Sequence, residues 1–385
     1  LFYRAFTEEV LEMVDFTSDE WRCIEDGTQT LVDNAIAKLK TKPLLGKKVT
    51  KIYPVLNTPS LHRPEGVGSS SPEPELPSIV VAEPQGAARC SAENLPPPPP
   101  LRPQAEPLLV EVVGESEPRQ YDAVVLTTSL GCAQHIDLTQ AKLNWGQRLA
   151  IRRLGYAAAT KVGIKFSCAW WRVAGCGVTQ GGFAVTDEPL RICVYPSYNL
   201  TDDPAKPAVL LCSYTWTQDA DRLASLIHRS SPAGEDELRD LLLRGLARLH
   251  SKTFEEIRPL YITHHAWAWY QDPWTTGAYA SFEPAQWAEL YPLLCEPAAR
   301  GRLIFAGEAA STHHAWILGA LESGYRAVAH TLIVFGLFEE VKKLKRLFGT
   351  TDETVLDGPG FAFHQVYHGA FRADGEDEEE PLASV

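Results

Sequence analysis

Residues 302–324 read RLIFAGEAASTHHAWILGALESG, and no other stretch restricts the fold as tightly. Leu303, Ile304, Phe305 and Ala306 form a continuous apolar run, the pattern of a strand covered on both faces. Gly307 follows, where the missing side chain lets a ligand approach the main chain closely. Glu308 then places a carboxylate at the strand's carboxyl end, the edge at which open α/β sheets bind ligands. A helix is predicted from near Trp316 through LGALESGYRAVAHTLIVF, so its N-terminal N–H groups and positive dipole end point back at the same crevice. This strand-turn-helix favours an anionic group. A strand-end carboxylate followed by an ordinary helix cap explains the same residues, and both readings stay open on physical grounds alone.

Other segments supply more of the sheet framework. KKVTKIYP carries Val49 and Ile52 in alternation, and PLLVEVVG and YDAVVLTTSLG follow after residue 107, giving two or three strands of one sheet. Between them, residues 54–107 hold half of the 28 prolines, including the run Pro96 to Pro100. Such a composition cannot bury enough apolar surface to offset its ordering, so a disordered or polyproline insertion is expected. A tolerated loop expansion and a ligand for SH3-like partners are both compatible with it. KVGIKFSCAWWRVAGCGVTQGG is an alternating strand followed by a Gly-rich turn, and RICVYPSYNL and PAVLLCSYTW add two more, so an antiparallel sheet is predicted. In EDELRDLLLRGLARLH, Leu238, Leu242, Leu246 and Leu249 share one face of a helix.

Composition removes several function classes. With 385 residues, 45% apolar and 22% charged, the chain is globular and long enough for two domains. Its net charge is −13, and six acidic residues lie in one run, Asp374, Glu376, Asp377, Glu378, Glu379 and Glu380. No basic stripe suits nucleic acid or an anionic membrane surface. No apolar run reaches the ~20 residues of a membrane span, so a soluble protein is expected. The eight cysteines are scattered without a CxxC pair, which predicts reduced thiols. His264 with His265 and His313 with His314 lack a third ligand at useful spacing, so no metal is expected. Hydrolase and P-loop signatures are absent. The chain opens LFYRAFTEEV, with neither an initiator Met nor a leader pattern. It is expected to be the interior of a longer protein, which leaves localisation unread.

Phe305-Ala306-Gly307-Glu308, His314-Ala315-Trp316-Ile317 and Glu322-Ser323-Gly324 together resemble the C-terminal flavin-binding motif of the flavin amine oxidases, and within them the L-amino-acid oxidase branch. The resemblance covers most of residues 15–335. WRCIEDGTQTL is similar to the family segment with a Gly-Gly pair, with Asp26 in place of the first Gly. The resemblance implies FAD as cofactor, with Val49, Gly307, Glu308, Ala315, Trp316, Ile317, Trp269 and Trp274 contacting it. It implies catalytic or substrate-positioning roles for Lys161, near the flavin N5, for Trp316 as a pocket wall, and for Tyr214 toward the substrate carboxylate. Each has a plainer structural alternative: a surface lysine, a core anchor at a helix start, a half-buried strand tyrosine.

The fold class implied is α/β and α+β, a partial FAD-binding, Rossmann-like domain plus a mixed-sheet substrate domain of the amine oxidase type. Residues 1–53 would be a helical, substrate-side segment leading into an FAD-domain strand, 54–107 form the insertion, 108–135 add FAD-domain strands, and 136–300 form the substrate-binding domain. Residues 301–340 would be the C-terminal FAD-binding strand-turn-helix and 341–385 an extension with the acidic tail. The activity implied is oxidative deamination of an L-amino acid to a 2-oxo acid, ammonia and hydrogen peroxide, with dioxygen as co-substrate; monoamine or polyamine oxidation is the alternative. A homo-oligomer is left open. One departure matters: the GxGxxG turn with which the family holds the pyrophosphate is absent. The chain is then either the C-terminal piece of a longer oxidase or a degenerate relative acting as an interaction protein.

Overall fold

The computed structural model describes residues 5, 10, 11, 23–55, 106–173, 175–227 and 232–349. The expectations for the Pro-rich stretch between 56 and 105 and for the acidic run at 374–380 lie outside the described residues.

Two principal cores organise the chain. In the first, β1 (Val49–Pro54) pairs antiparallel with β2 (Leu108–Val112), and β2 with β3 (Arg119–Tyr121). The two segments flanking the Pro-rich stretch thus close on each other, with Ile52 opposite Val110 and Pro54 opposite Leu108. Alternate residues of β2, Leu108, Val110 and Val112, are buried, as a sheet with one face on the core requires. β4 (Val124–Leu126) does not join this sheet. It pairs in parallel with β12 (Leu303–Phe305), Leu303 opposite Val124 and Phe305 opposite Leu126. All three residues of β12 are buried, so the continuous apolar run serves the covered parallel strand it predicts. Helices Trp145–Arg153 and Gln286–Cys295 pack on this core, the former started by a capping box between Asn144 and Gln147.

The hairpin turn between β2 and β3 is tied by Glu115, whose carboxylate accepts from Arg119 Nε at 2.7 Å and Lys47 Nζ at 2.8 Å. The Arg119 bond, then the Lys47 bond, pulls its pKa down to about 2. A carboxylate lowered in the folded state contributes stability above its ordinary range that is lost as pH falls through the folded value. In Glu115→Gln the loss of stability between the usual carboxylate range and about pH 2 should therefore be shallower than in the wild type. Denaturant titration at stepped pH measures this, and superimposable acid limbs would refute it.

The second core lies under a five-stranded sheet in the order β10-β6-β9-β8-β7, where β6 is Ala159–Phe166, β7 Gly182–Val185, β8 Ile192–Tyr195, β9 Ala208–Trp216 and β10 Tyr261–Ala268. Every ladder in it is antiparallel. Val162, Ile164 and Phe166 of β6 are fully buried, facing the helix Pro232–Leu249 through its equally buried Leu238, Leu242 and Leu246. Leu249, the fourth residue of that row, lies at the edge of the core and is only partly covered. Full burial of each such leucine contributes about 1.5–3 kcal/mol. The period of two sends Lys161, Gly163 and Lys165 to the opposite face. A short pair, β5 (Gly155–Ala157) with β11 (Tyr279–Ser281), runs beside the first core. The seven described cysteines are free, and among the described residues no helix is long and apolar enough to cross a membrane.

Candidate active site

At the carboxyl end of β12 the chain turns on Gly307, whose φ of +122° lies in a region that favours glycine. The Gly307 N–H donates to Ser323 Oγ at 2.8 Å, and the same hydroxyl donates to Ala320 O at 2.8 Å, so the serine of Glu-Ser-Gly clamps the helix Ile317–Val334 onto the turn. Glu308 is engaged from two sides: Oε1 accepts from Ala280 N in β11 at 2.8 Å and Oε2 from Ala315 N at 3.3 Å. Its carboxylate therefore straps β11 to the turn. Trp316 is the helix N-cap and makes no side-chain capping bond. Ile317, Leu318 and Leu321 leave large apolar areas exposed at this end of the helix.

On the face of the five-stranded sheet turned away from the core, Lys161 is the cross-strand neighbour of Tyr214 on one side and of Trp267 on the other. Its Nζ lies 4.5 Å from the centroid of the Tyr214 ring. Burial lowers its pKa, because desolvation disfavours the ammonium. Trp216 meets Tyr214 edge-on at 4.5 Å between centroids, and His265 stacks on Trp267 at 5.8 Å. One cation thus lies in an aromatic row on a face the core does not use. Lys165, four residues on, is exposed, as expected of a surface lysine. The adjacent histidines point apart: His264 bonds Glu235 at 2.7 Å and Tyr261 at 2.8 Å, while His265 is exposed.

The loop after β10 runs from this face to the turn. Trp269 meets Trp267 edge-on at 6.0 Å, and its carbonyl accepts from Thr275 Oγ1 at 2.9 Å. The loop is moored to the end of β4 by Ser129 Oγ, which donates to Thr275 O at 2.7 Å. Trp274 at its tip is 75% exposed, available to a flat partner. Beyond Gly277 the chain enters β11 and reaches the Glu308 strap. Tyr156 closes the junction: its OH accepts from Leu130 N at 2.9 Å, and burial, with the Glu308 charge nearby, pushes its pKa up. Val49 opens β1 at a bulge that shifts the register before Lys51, and it packs on the first core. Asp26 has φ +61° and Gly27 φ +89°, so the aspartate takes up the left-handed backbone a glycine would supply, a conformation Asp tolerates better than most residues.

Gly307, Glu308, Ala315, Trp316 and Ile317 thus share one turn, Lys161 and Tyr214 share one row, and Trp269 and Trp274 lie on the loop between. Sequence reasoning gave no role to Tyr156, Trp267, Ser129 or Ser323. Of these, Ser323 was legible in Glu-Ser-Gly, and Trp267 in the alternation of β10, where it shares a face with His265.

The family model for flavin-containing amine oxidoreductases matches residues 101–332. The chain belongs to that family. A protein of Dictyostelium discoideum named as a bifunctional amine oxidase is 32% identical over 92% of this chain and 29% of its own length. L-amino-acid oxidase 4 of Hebeloma cylindrosporum is 34% identical over 86% of this chain and 48% of its own length. An L-amino-acid oxidase of Siganus canaliculatus is 33% identical over 54% of this chain and 36% of its length. The chain thus spans between about a third and a half of the curated relatives it matches.

FAD is the cofactor of the flavin-containing amine oxidoreductases. The residues present fit a flat, partly anionic group of that kind. Gly307 carries a positive φ at the strand end, the helix Ile317–Val334 starts beside it, and Trp274, Ile317 and Leu318 offer exposed apolar surface.

Proposed function

We propose that this chain provides the substrate-facing sheet and the C-terminal flavin-contacting turn of an FAD-dependent oxidase that converts an L-amino acid to a 2-oxo acid, ammonia and hydrogen peroxide. The observation that carries this reading is Lys161 set over Tyr214, with Trp267 across the neighbouring strand, on the sheet face turned away from the core. A bound flavin supplies hydride acceptance and electron transfer to dioxygen. In this reading Lys161 holds a water and exchanges a proton at Nζ, a task suited by its lowered pKa. Tyr214 turns its hydroxyl to the substrate carboxylate, while Trp316 walls the pocket and excludes water. Gly307, Glu308, Ala315 and Ile317 shape the cofactor's seat, Trp269 and Trp274 cover it, and Val49 offers its backbone to the adenine. The N-terminal end of the helix adds partial positive charge beside Ala315 and Ile317.

Oxidation of simple amines is the second reading, favoured by the Dictyostelium relative, which matches 92% of this chain and is named as an amine oxidase. Peroxide release from a flavin-loaded preparation, assayed over L-amino acids and their decarboxylated counterparts, separates the two. Turnover is expected with amino acids. Activity confined to the decarboxylated amines would overturn the first reading, and no flavin uptake, followed by the visible spectrum, would favour an interaction protein.

A further inference from the structure

We infer that the free edge of β7 is an interface between two copies of this chain, paired antiparallel about a two-fold axis at Ala184 so that two five-stranded sheets become one. β7 ends the order β10-β6-β9-β8-β7, and among the described residues no strand pairs with its other side. Thr186 N–H donates to Arg191 O at 2.8 Å, toward β8. Alternation along an antiparallel strand then turns the N–H and C=O of Phe183 and Val185 to the free edge. Such an edge is a template for another strand, and soluble proteins commonly blunt it with charge, proline or a bulge. β7 carries none of the three: it reads Gly-Phe-Ala-Val and pairs with β8 without a register shift.

The side chains select a second copy as the occupant. Phe183 is 69% exposed and Val185 67%, both on the face turned away from the core, while Ala184 packs against the core. Three two-fold registers can join the outward groups. With the axis at Ala184, each Phe183 exchanges two hydrogen bonds with Val185 of the second copy, and each ring lies against a valine, a cross-strand pairing that stabilises antiparallel strands. An axis at Phe183 sets valine against Gly181, and an axis at Val185 sets phenylalanine against Asp187. Only the Ala184 axis gives every outward apolar side chain an apolar partner.

Charge points the same way. In a chain of net charge −13, two copies repel over most of their surface, so contact favours a patch where no like charges meet. The Ala184 register opposes none along β7 and sets Asp187 against Gly181 of the second copy. Val185 is in register with Ile192, Tyr214, Lys161 and Trp267 across the other four strands. The two Lys161 rows therefore lie on the same side of the joined sheet.

Sedimentation velocity of the full chain over about 1–200 µM tests the assignment. A reversible monomer–dimer equilibrium within that range is expected, as suits so short a contact. Phe183→Lys should raise the dissociation constant about tenfold or more, with the melting temperature of the dilute protein unchanged because the side chain is exposed. Adding Val185→Glu to Phe183→Lys sets opposite charges face to face in the Ala184 register and should restore association to within about threefold of wild type. The other two registers oppose like charges in that double variant. Under mild oxidation Ala184→Cys should form an interchain disulfide, since facing Cα atoms of a non-hydrogen-bonded pair lie about 4.5 Å apart. A monomer at every concentration would give the edge to a different strand and overturn the assignment. Growth beyond the dimer, a dimer unmoved by Phe183→Lys, or a double variant no better than the single one overturns it equally.

Discussion

Lys161→Met should lower peroxide formation by a flavin-loaded preparation about 10²–10⁴-fold, the range typical for loss of a positioned proton-transfer group. Methionine keeps an apolar stem of similar length against Tyr214 and removes the amine that lies 4.5 Å from the ring. The fold should tolerate this, with a thermal midpoint within about 3 °C of wild type, because removing the ammonium also removes the cost of holding a charge in a partly desolvated place, which offsets the lost cation–π contact. Stopped-flow measurement of flavin reduction and reoxidation locates the defect. A wild-type rate in both half-reactions would remove Lys161 from the chemistry and make it a surface lysine on a strand. A large drop in thermal stability would make it a folding residue.

Gly319→Ala should destabilise the protein by about 3 kcal/mol, the upper part of the range for forcing an atom into a packed site. A Cβ built at Gly319 falls 2.2 Å from His313 O and 2.3 Å from Ser311 Oγ. The first of these is backbone, so the turn that carries Ala315 and Trp316 would have to move. Gly324, in the same helix, has nothing within 4 Å of its Cβ position. Gly324→Ala should therefore stabilise by about 0.5–1 kcal/mol through helix propensity alone. Urea midpoints for the two variants give opposite signs if close approach at the turn is what requires Gly319. Equal and small shifts would mean that the helix start relaxes freely.

Much of the molecule is legible in its sequence because the information is local. Alternation over ATKVGIKF fixes β6 and sends Val162, Ile164 and Phe166 to one face and Lys161 to the other, whatever the partner strands are. The leucine spacing in Pro232–Leu249 and the apolar run of β12 are equally local. Helix Ile317–Val334 begins immediately after Trp316, where the change from polar turn to small apolar residues places it. Motif order along the chain carried the family, since several spaced patterns in sequence are more restrictive than any one of them.

Tertiary structure decided what those local signals connect to. YDAVVLTTSLG reads as one more strand beside its sequence neighbours, yet β4 leaves β3 and pairs with β12, brought together across 180 residues where Arg302 donates to Asp122 O. Only the packed chain could make that choice, because a short apolar strand offers the same backbone hydrogen bonds to any partner. Glu308 was visible as a strand-end carboxylate, but its engagement by Ala280 and Ala315 depends on where β11 lies. Tyr156 carries no motif at all and matters only because folding buries it beside Glu308. The sequence by itself determined the elements, their buried faces and the family, since periodicity and motif spacing are written along the chain. The strand partners, the hydrogen bonds at the turn and the free edge of β7 were decided by the tertiary structure, because each depends on residues that only folding brings into contact.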